Sequence, residues 1–337
     1  MLKCNAYGLG IEAVAEALLR AGCKDFYVAS LAEALQLRQK ASDAHIYVLY
    51  GLTAGQEERF ERANLIPVLN NFHQLKLLET FATQANRKLR CCVHIDTGMT
   101  RAGVENYLAE DMLDKIARSK HLTVMYVLSH LACAGNSGSD MNERQLSFLT
   151  FLCRKYPQFR YSFANSAGIF LGSAYHFDQV RPGIALYGGH PLNDCRASIP
   201  VKLRQTVELH SRIVGLHCIK ENSLQRSVGY GATYKLVPGV IIATVPVGYG
   251  DGYPISLSNK GYCCINGIKV PIVGRISMDY LCIDVSELDE KFRQIGQKVE
   301  LMGKNISIEE IASLADTINY EVLTSLGNRY ERKYIND

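Results

Sequence analysis

Between residues 24 and 190 the chain alternates short runs rich in β-branched and aromatic residues with amphipathic helical runs, and few folds accept that rhythm. The strand candidates are DFYVAS, HIYVLY, LIPVLN, LRCCVHID, LTVMYVLSH, FRYSFANS and the run over residues 179–187. Between them lie SLAEALQLRQK, GQEERFERA, FHQLKLLETFATQ, NYLAEDMLDKIARS, NERQLSFLTFLCRK and SAGIFLGSAY. In the third of these, Leu75, Leu78 and Phe81 recur at helical spacing. With Met1-Leu2-Lys3 as the end of an opening strand, eight strands alternate with helices. That pattern predicts an α/β chain built on a (β/α)8 TIM-type barrel, with a doubly wound open sheet as the competing solution. Barrels gather their chemistry at the C-terminal ends of the strands. Lys3, Asp96, His130, Asn165 and Arg181 all fall at or just after such ends, so they are candidate site residues.

After Tyr187 the rhythm changes. Residues 188–200 form a polar connection containing proline and glycine, and β-rich segments follow: VELHSRIVGLHCIK, GVIIATVPVGYG, YCCINGIKVPIV and DYLCIDVS. Asn266-Gly267, between two alternating apolar runs, is a strong hairpin signal. A helix is expected over residues 307–316, with Ser307 as N-cap and Glu310 completing a capping box. At 337 residues the chain exceeds one small core. The expected division is a barrel over residues 1–199 and a mostly-β domain over residues 200–337.

Composition excludes several classes. A net charge of +4 with no basic run leaves nucleic-acid binding without an electrostatic footprint. No apolar segment approaches the roughly 18 residues of a membrane span. The 11 cysteines include the vicinal pairs Cys91-Cys92 and Cys263-Cys264 inside apolar runs, and no Cys-x-x-Cys occurs. Buried thiols in a reducing cytosol explain them better than disulfides or a metal site, so no metal is expected. No signal peptide is visible, which points to the cytoplasm.

Several phrases carry candidate chemistry, each with an ordinary structural reading beside it. An N-terminal lysine such as Lys3 is by default frayed and solvated. VHIDTGMTRAG (residues 93–103) ends a strand in Asp-Thr-Gly and then supplies Arg101, which a capped turn would also explain. SHLA puts His130 at a strand end, where a structural histidine is as reasonable as a catalytic one. ANSAG places Asn165 and Ser166 at a strand-to-helix junction whose free N–H groups favour a phosphate. VRPGIALYG brings Arg181 and Gly183 to the same rim, and VPVGYGDGYP is a glycine-punctuated loop carrying Tyr249 and Tyr253. VGRISMDY and NYEVLTSLGNRYERKY complete the set.

Taken in this order, the phrases resemble the bacterial alanine racemases, enzymes dependent on pyridoxal 5'-phosphate (PLP) with a PLP-binding barrel and a C-terminal β domain. The resemblance runs from Lys3 to about Tyr334. By matching position, it implies that Lys3 binds PLP covalently and serves as one base, a task open to a desolvated lysine but not to arginine. Tyr249, donated by the partner subunit of a homodimer, is the implied second base. Tyr7, Ser166, Gly183, Ile184 and Tyr320 resemble the phosphate-binding set, beside Asn165. Arg181 matches the arginine facing the ring nitrogen, where a permanent cation keeps that nitrogen unprotonated and so restrains transamination. His130 would buttress Arg181. Arg101 and the backbone N–H of Met278 resemble the groups holding the substrate carboxylate, and Arg275 and Tyr320 those narrowing the entry channel towards a methyl side chain. The implied reaction interconverts L- and D-alanine and supplies D-alanine for peptidoglycan.

Three positions depart from the family. At His94 many relatives carry a lysine, often carbamylated, that positions the substrate-binding arginine, and histidine cannot carry that carbamate. At Gly135 relatives usually have an aspartate near the channel mouth. Only Met1 and Leu2 precede Lys3, against a usual strand of about 5–6 residues, so an N-terminally truncated form is expected. Two other readings stand beside the racemase: a serine or broad-specificity racemase of the same fold, and a truncated PLP-binding protein with little turnover.

Overall fold

The computed structural model of the chain describes residues 1–192, 198–221 and 227–335; part of the expected connection over residues 188–200 lies outside them. Two compact units emerge. One comprises Met1–Ala6, Gly10–Leu186 and Pro191–Lys202, and the other Tyr7–Leu9, Tyr187–His190 and Leu203–Asp337.

The first unit is a barrel-like parallel sheet wrapped by helices. Its strands are β1 (Asp25–Val28), β2 (His45–Val48), β3 (Leu65–Leu69), β4 (Leu89–Asp96), the short β5 (Val104–Glu105), β6 (Leu122–Leu128) and β7 (Tyr161–Ser162). They pair in the order β1-β2-β3-β4-β6-β7, with β5 on β4. Alternate side chains from successive strands fill one core: Tyr27, Tyr47, Ile66, Val68, Cys92, Tyr126 and Leu128. Such filling is what period-2 side-chain direction requires inside a closed sheet. Tyr27 and Tyr47 stack with ring centroids 4.3 Å apart.

The seam differs from expectation. Residues 179–187 form no ladder strand, because Pro182 has no N–H to donate and Ile184–Tyr187 curls into a 3-10 turn. Single hydrogen bonds span the gap instead. Arg181 N donates to Ala164 O (2.9 Å), the Met1 nitrogen to Pro182 O (3.1 Å), and Leu2 N to Tyr27 O (2.8 Å). Met1-Leu2-Lys3 therefore occupies the place of a strand without being one. SAGIFLGSAY likewise forms two 3-10 turns, Gly168–Leu171 and Ser173–Tyr175, broken at Gly172 with φ 122°.

The second unit carries β8 (Leu209–Arg212), β9 (Gly215–Cys218), β10 (Ser227–Val228), β11 (Tyr234–Lys235), β12 (Ile241–Val245), β13 (Tyr262–Ile265), β14 (Ile268–Val273), β15 (Leu281–Asp284) and β16 (Lys298–Met302). All but β10 and β11, which pair together, form one antiparallel sheet in the order β8-β16-β13-β14-β15-β12-β9. VELHSRIVGLHCIK thus splits into the two ends of that order. Asn266 (φ 48°) and Gly267 (φ 82°) turn β13 into β14 as the hairpin signal requires. The helix Ile308–Leu314 starts at Ser307, whose side chain accepts from Glu310 N at 3.1 Å. The reciprocal half of the expected capping box is replaced: the Glu310 carboxylate takes the Lys269 ammonium at 2.5 Å. The helix Ile11–Arg20 is the one that the alternation places ahead of the strand at residue 25, and the helix Asn319–Thr324 was not expected.

Candidate functional site

Lys3 leads into a left-handed turn. Cys4, Asn5, Ala6 and Tyr7 all have φ between 52° and 56°, a well that costs an L-residue roughly 1–2 kcal/mol. Three contacts hold the turn in the first unit. Cys4 N donates to Glu33 Oε1 (2.6 Å), Ile11 N donates to Asn5 Oδ1 (2.8 Å), and Ala6 N donates to Leu2 O (2.9 Å). Among the described residues, the half-buried Lys3 amine makes no hydrogen bond or ion pair. Burial lowers its proton affinity, and the Arg101 charge adds to the effect, while Cys4 and Glu33 oppose it.

Arg181 is buried in the same unit. Its guanidinium donates to Ser162 Oγ, to Ser129 O (2.5 Å) and to Phe163 O (3.4 Å), and no carboxylate among the described residues pairs with it. Burial lowers its pKa from the ordinary arginine value. The His130 ring has Asn165 as its hydrogen-bonding partner among the described residues. Asn165 Nδ2 lies 3.4 Å from His130 Nε2 while Asn165 Oδ1 accepts from Gly168 N at 2.9 Å. The amide is thereby oriented, so Nε2 of His130 is an acceptor. Burial first, then Arg181, holds the imidazole well below its usual protonation range.

Ser166 is buried, and its hydroxyl oxygen accepts from Gly183 N (2.7 Å) and Ala185 N (3.3 Å). Two of the expected anion-binding residues, Ser166 and Gly183, are thus together, with Ile184 between the two backbone donors.

Asp96 serves the turn rather than the chemistry: its Oδ1 accepts from Gly98 N and Met99 N, both at 2.8 Å. The loop then returns so closely that a Cβ on Gly103 would sit 2.8 Å from Asp96 N. Arg101 is carried on this loop, and it lines a cleft of about 480 Å3 with Tyr50, Asn70, Gln74, Gly103 and Glu105. His94 is locked to Asn70. Asn70 Nδ2 donates to Leu49 O (2.9 Å) and Val68 O (3.0 Å), so its Oδ1 faces His94 Nδ1 at 2.8 Å. That nitrogen must carry the proton, which leaves Nε2 with a lone pair. Burial, then the charges of Arg181 and Arg101, bring the imidazole down to about 4, so it is neutral at pH 7.

In the second unit Tyr249 opens the 3-10 turn Tyr249–Asp251. Tyr249 N donates to Ser277 O (3.0 Å) and Gly250 N to Met278 O (2.9 Å), which joins the two expected site loops. Both side chains are exposed, Tyr249 at 45% and Met278 at 54%. Asp251 is buried, accepts from Gly248 N (2.9 Å) and meets Arg329 Nε at 3.2 Å. Gly252 (φ 87°) is required, because a Cβ there would lie 1.7 Å from Ser325 O. Arg275 is exposed beside Gly229. Tyr7, Tyr187 and Tyr320 form a cluster, with Tyr7 4.7 Å from Tyr187 and 6.1 Å from Tyr320 between ring centroids. Burial pushes the Tyr320 phenol up to about 12.

Comparison with known proteins decides the family. Residues 1–191 match the family described as alanine racemase, N-terminal domain, and residues 206–334 match alanine racemase, C-terminal domain. The chain belongs to the alanine racemase family. The alanine racemase of Rhodospirillum rubrum is 40% identical over 335 residues, 99% of this chain and 88% of that one. That of Rickettsia canadensis is 39% identical over 335 residues, 99% of this chain and 91% of that one. Among solved structures, alanine racemase from Bartonella henselae with covalently bound pyridoxal phosphate superposes with a TM-score of 0.91. It is 37% identical, with 99% of this chain and 91% of that one covered. Alanine racemase from Pseudomonas aeruginosa gives a TM-score of 0.89 at 31% identity, covering 99% of this chain and 91% of that one.

The residues that support the alanine racemase candidates were not legible beforehand. Glu33, Asn70, Ser129, Gln145 and Ser162 act through single contacts between distant segments. Gln145 Nε2, for example, donates to Thr97 Oγ1 and to His130 O, both at 2.9 Å. The only sequence signal was Glu33, three residues after Ser30 at a helix start.

Proposed function

We propose that this chain interconverts L-alanine and D-alanine with PLP bound through Lys3. The observation that carries the reading is the Lys3 amine, half-buried, without an ion pair among the described residues and with lowered proton affinity at the end of the first barrel segment. The residues present suit PLP. Ser166 and the Gly183 and Ala185 N–H groups converge as an anion cradle would, and Arg181 is a buried cation with no carboxylate partner among the described residues. When bound, PLP supplies an aldehyde that captures amines and a conjugated ring that acidifies the substrate Cα.

The residues then divide the work. Lys3, whose proton affinity burial and the Arg101 charge lower, would take or return a proton at the substrate Cα. Tyr249 exchanges a proton with the same carbon from the other face, and its exposure suits delivery to a partner subunit of a homodimer. Arg181 would face the ring nitrogen of bound PLP and, being always charged, would leave that nitrogen unprotonated; His130 supports the junction through Asn165. Tyr7, Ser166, Gly183, Ile184 and Tyr320 are the phosphate set. Arg101 and the Met278 N–H bind the substrate carboxylate, and neutral His94 stands near Arg101 without competing for that anion. Arg275 and Tyr320 restrict side-chain size. Residues 1–199 are the cofactor-holding domain and residues 200–337 the domain that supplies Tyr249 and Met278. D-Alanine made in the cytoplasm would feed peptidoglycan.

The test is L- to D-alanine conversion by the purified chain beside Lys3→Ala and Tyr249→Phe, with absorbance of bound PLP read in parallel. Lys3→Ala is expected to lose conversion by about 10²–10⁴-fold or more together with covalent PLP. Tyr249→Phe should lose conversion while keeping the absorbance. Conversion that survives Lys3→Ala would overturn the reading.

A further inference from the structure

Glu33 divides one carboxylate between two segments of the first unit. Oε2 accepts from Ala29 N (2.7 Å) and Ser30 N (3.2 Å), and Ser30 Oγ accepts from Glu33 N (3.3 Å), a capping box at the helix Leu31–Arg38. A capping box needs only one of the carboxylate oxygens. The other, Oε1, accepts from Cys4 N at 2.6 Å. Cys4 is the residue after Lys3 and the first of the four left-handed ones.

We propose that Glu33 is a positioning residue for Lys3, because its carboxylate ties the left-handed turn after the lysine to the start of the helix Leu31–Arg38. The inference rests on Lys3 being the PLP lysine. The turn is strained, so its peptides stay in place only where outside acceptors hold them. Cys4 N has such an acceptor in a group that is itself fixed by two further N–H donors, so the direction in which Lys3 leaves the backbone is set by a rigid neighbour. Glu33 also acts through charge. The titratable groups coupled to the Lys3 amine are Arg101, Cys4, Glu33, His130 and the Met1 nitrogen. Glu33 is the carboxylate of this set, and it raises the proton affinity that burial and Arg101 lower. A residue that merely capped the helix would not also hold Cys4 N.

Two substitutions separate the roles in the full-length chain. Glu33→Gln keeps the size and one acceptor but removes the charge. Ser30→Ala removes the other half of the capping box and leaves the Cys4 contact alone. Competitive trace acetylation of Lys3 in chain freed of PLP, read by mass spectrometry across pH, reports the amine directly. PLP titration by absorbance reports affinity. For Glu33→Gln, the Lys3 inflection should move to lower pH, and the PLP dissociation constant should rise about fivefold. Ser30→Ala should lower Tm and leave both unchanged. The inference is overturned if Glu33→Gln leaves inflection and affinity at wild-type values, or if Ser30→Ala moves them equally. PLP affinity that is untouched by Lys3→Ala would instead defeat the assignment of Lys3 itself, a distinguishable failure.

Discussion

The Lys3 turn and the Tyr249 turn present two candidate bases by opposite means. After Lys3, four consecutive residues that are not glycine adopt positive φ, and they are held by Glu33 from another segment together with two near contacts, the Asn5 side chain on Ile11 and Leu2 O on Ala6. Around Tyr249, glycines stand at positions 248, 250 and 252, and the restraint combines one group inside the turn with a distant loop. Asp251 takes the Gly248 N–H, and Ser277 and Met278 take the backbone N–H groups of Tyr249 and Gly250. One turn keeps its side chains on a left-handed backbone; the other gives the left-handed position to a glycine. The first should tolerate backbone freedom and fail when its anchors go, and the second should do the reverse.

Gly252→Ala breaks the Tyr249 turn most severely. The added Cβ meets Ser325 O at 1.7 Å in a left-handed backbone. A stability loss of about 3 kcal/mol is expected, with a fall in Tm and a loss of conversion that exceeds any loss of PLP absorbance. A variant with wild-type Tm would show that the turn has slack after all.

A pH sweep sharpens the contrast from the other side, because the unit holding the Lys3 turn also holds His94. Its folded pKa of about 4 lies below the ordinary 6.5. Below pH 6.5 the unfolded chain takes up a proton that folded His94 refuses, so this contribution to stability is present above 6.5 and lost as pH falls towards 4. His94→Gln should therefore show a smaller drop in Tm between pH 7 and pH 5 than the wild type. Equal drops would mean that the imidazole is freely protonated in the folded state.

The smallest effect is the most telling about strain. Cys4 is exposed at φ 56°, so Cys4→Gly releases a left-handed L-residue at the cost of a more flexible unfolded chain. The net is expected to favour the folded state by about 0.5 kcal/mol, seen as a small rise in Tm. A clear fall in Tm would place the turn's stability in the Cys4 side chain.

The same contrast explains what the sequence made legible. Glycines and the Asn266-Gly267 hairpin announce backbone reversals in letters, and six of the parallel strands were readable because short runs rich in β-branched and aromatic residues mark them. The run Asn5-Ala6-Tyr7-Gly8 is turn-like in its letters, but its left-handed course is not, and one of the groups that hold it, Glu33, lies 29 residues from Cys4. Arg181, Ser166 and Gly183 were found because a strand end marks them, whereas Asn70 and Ser129 were not, because their role is to satisfy a partner brought near only by folding. The run over residues 179–187 looked like a strand by composition and failed because Pro182 withholds a donor and the chain curls at Ile184.

The left-handed stretch after Lys3 also has a stereochemical meaning. Its φ values near +55° are those that a D-amino acid adopts at rest, since the well that strains one hand is the natural well of the other. A semisynthetic chain carrying D-cysteine at the exposed fourth position would thus enter the turn without the penalty that Cys4 bears. A protein proposed to invert an α-carbon holds its own lysine in place with backbone shaped for the inverted form.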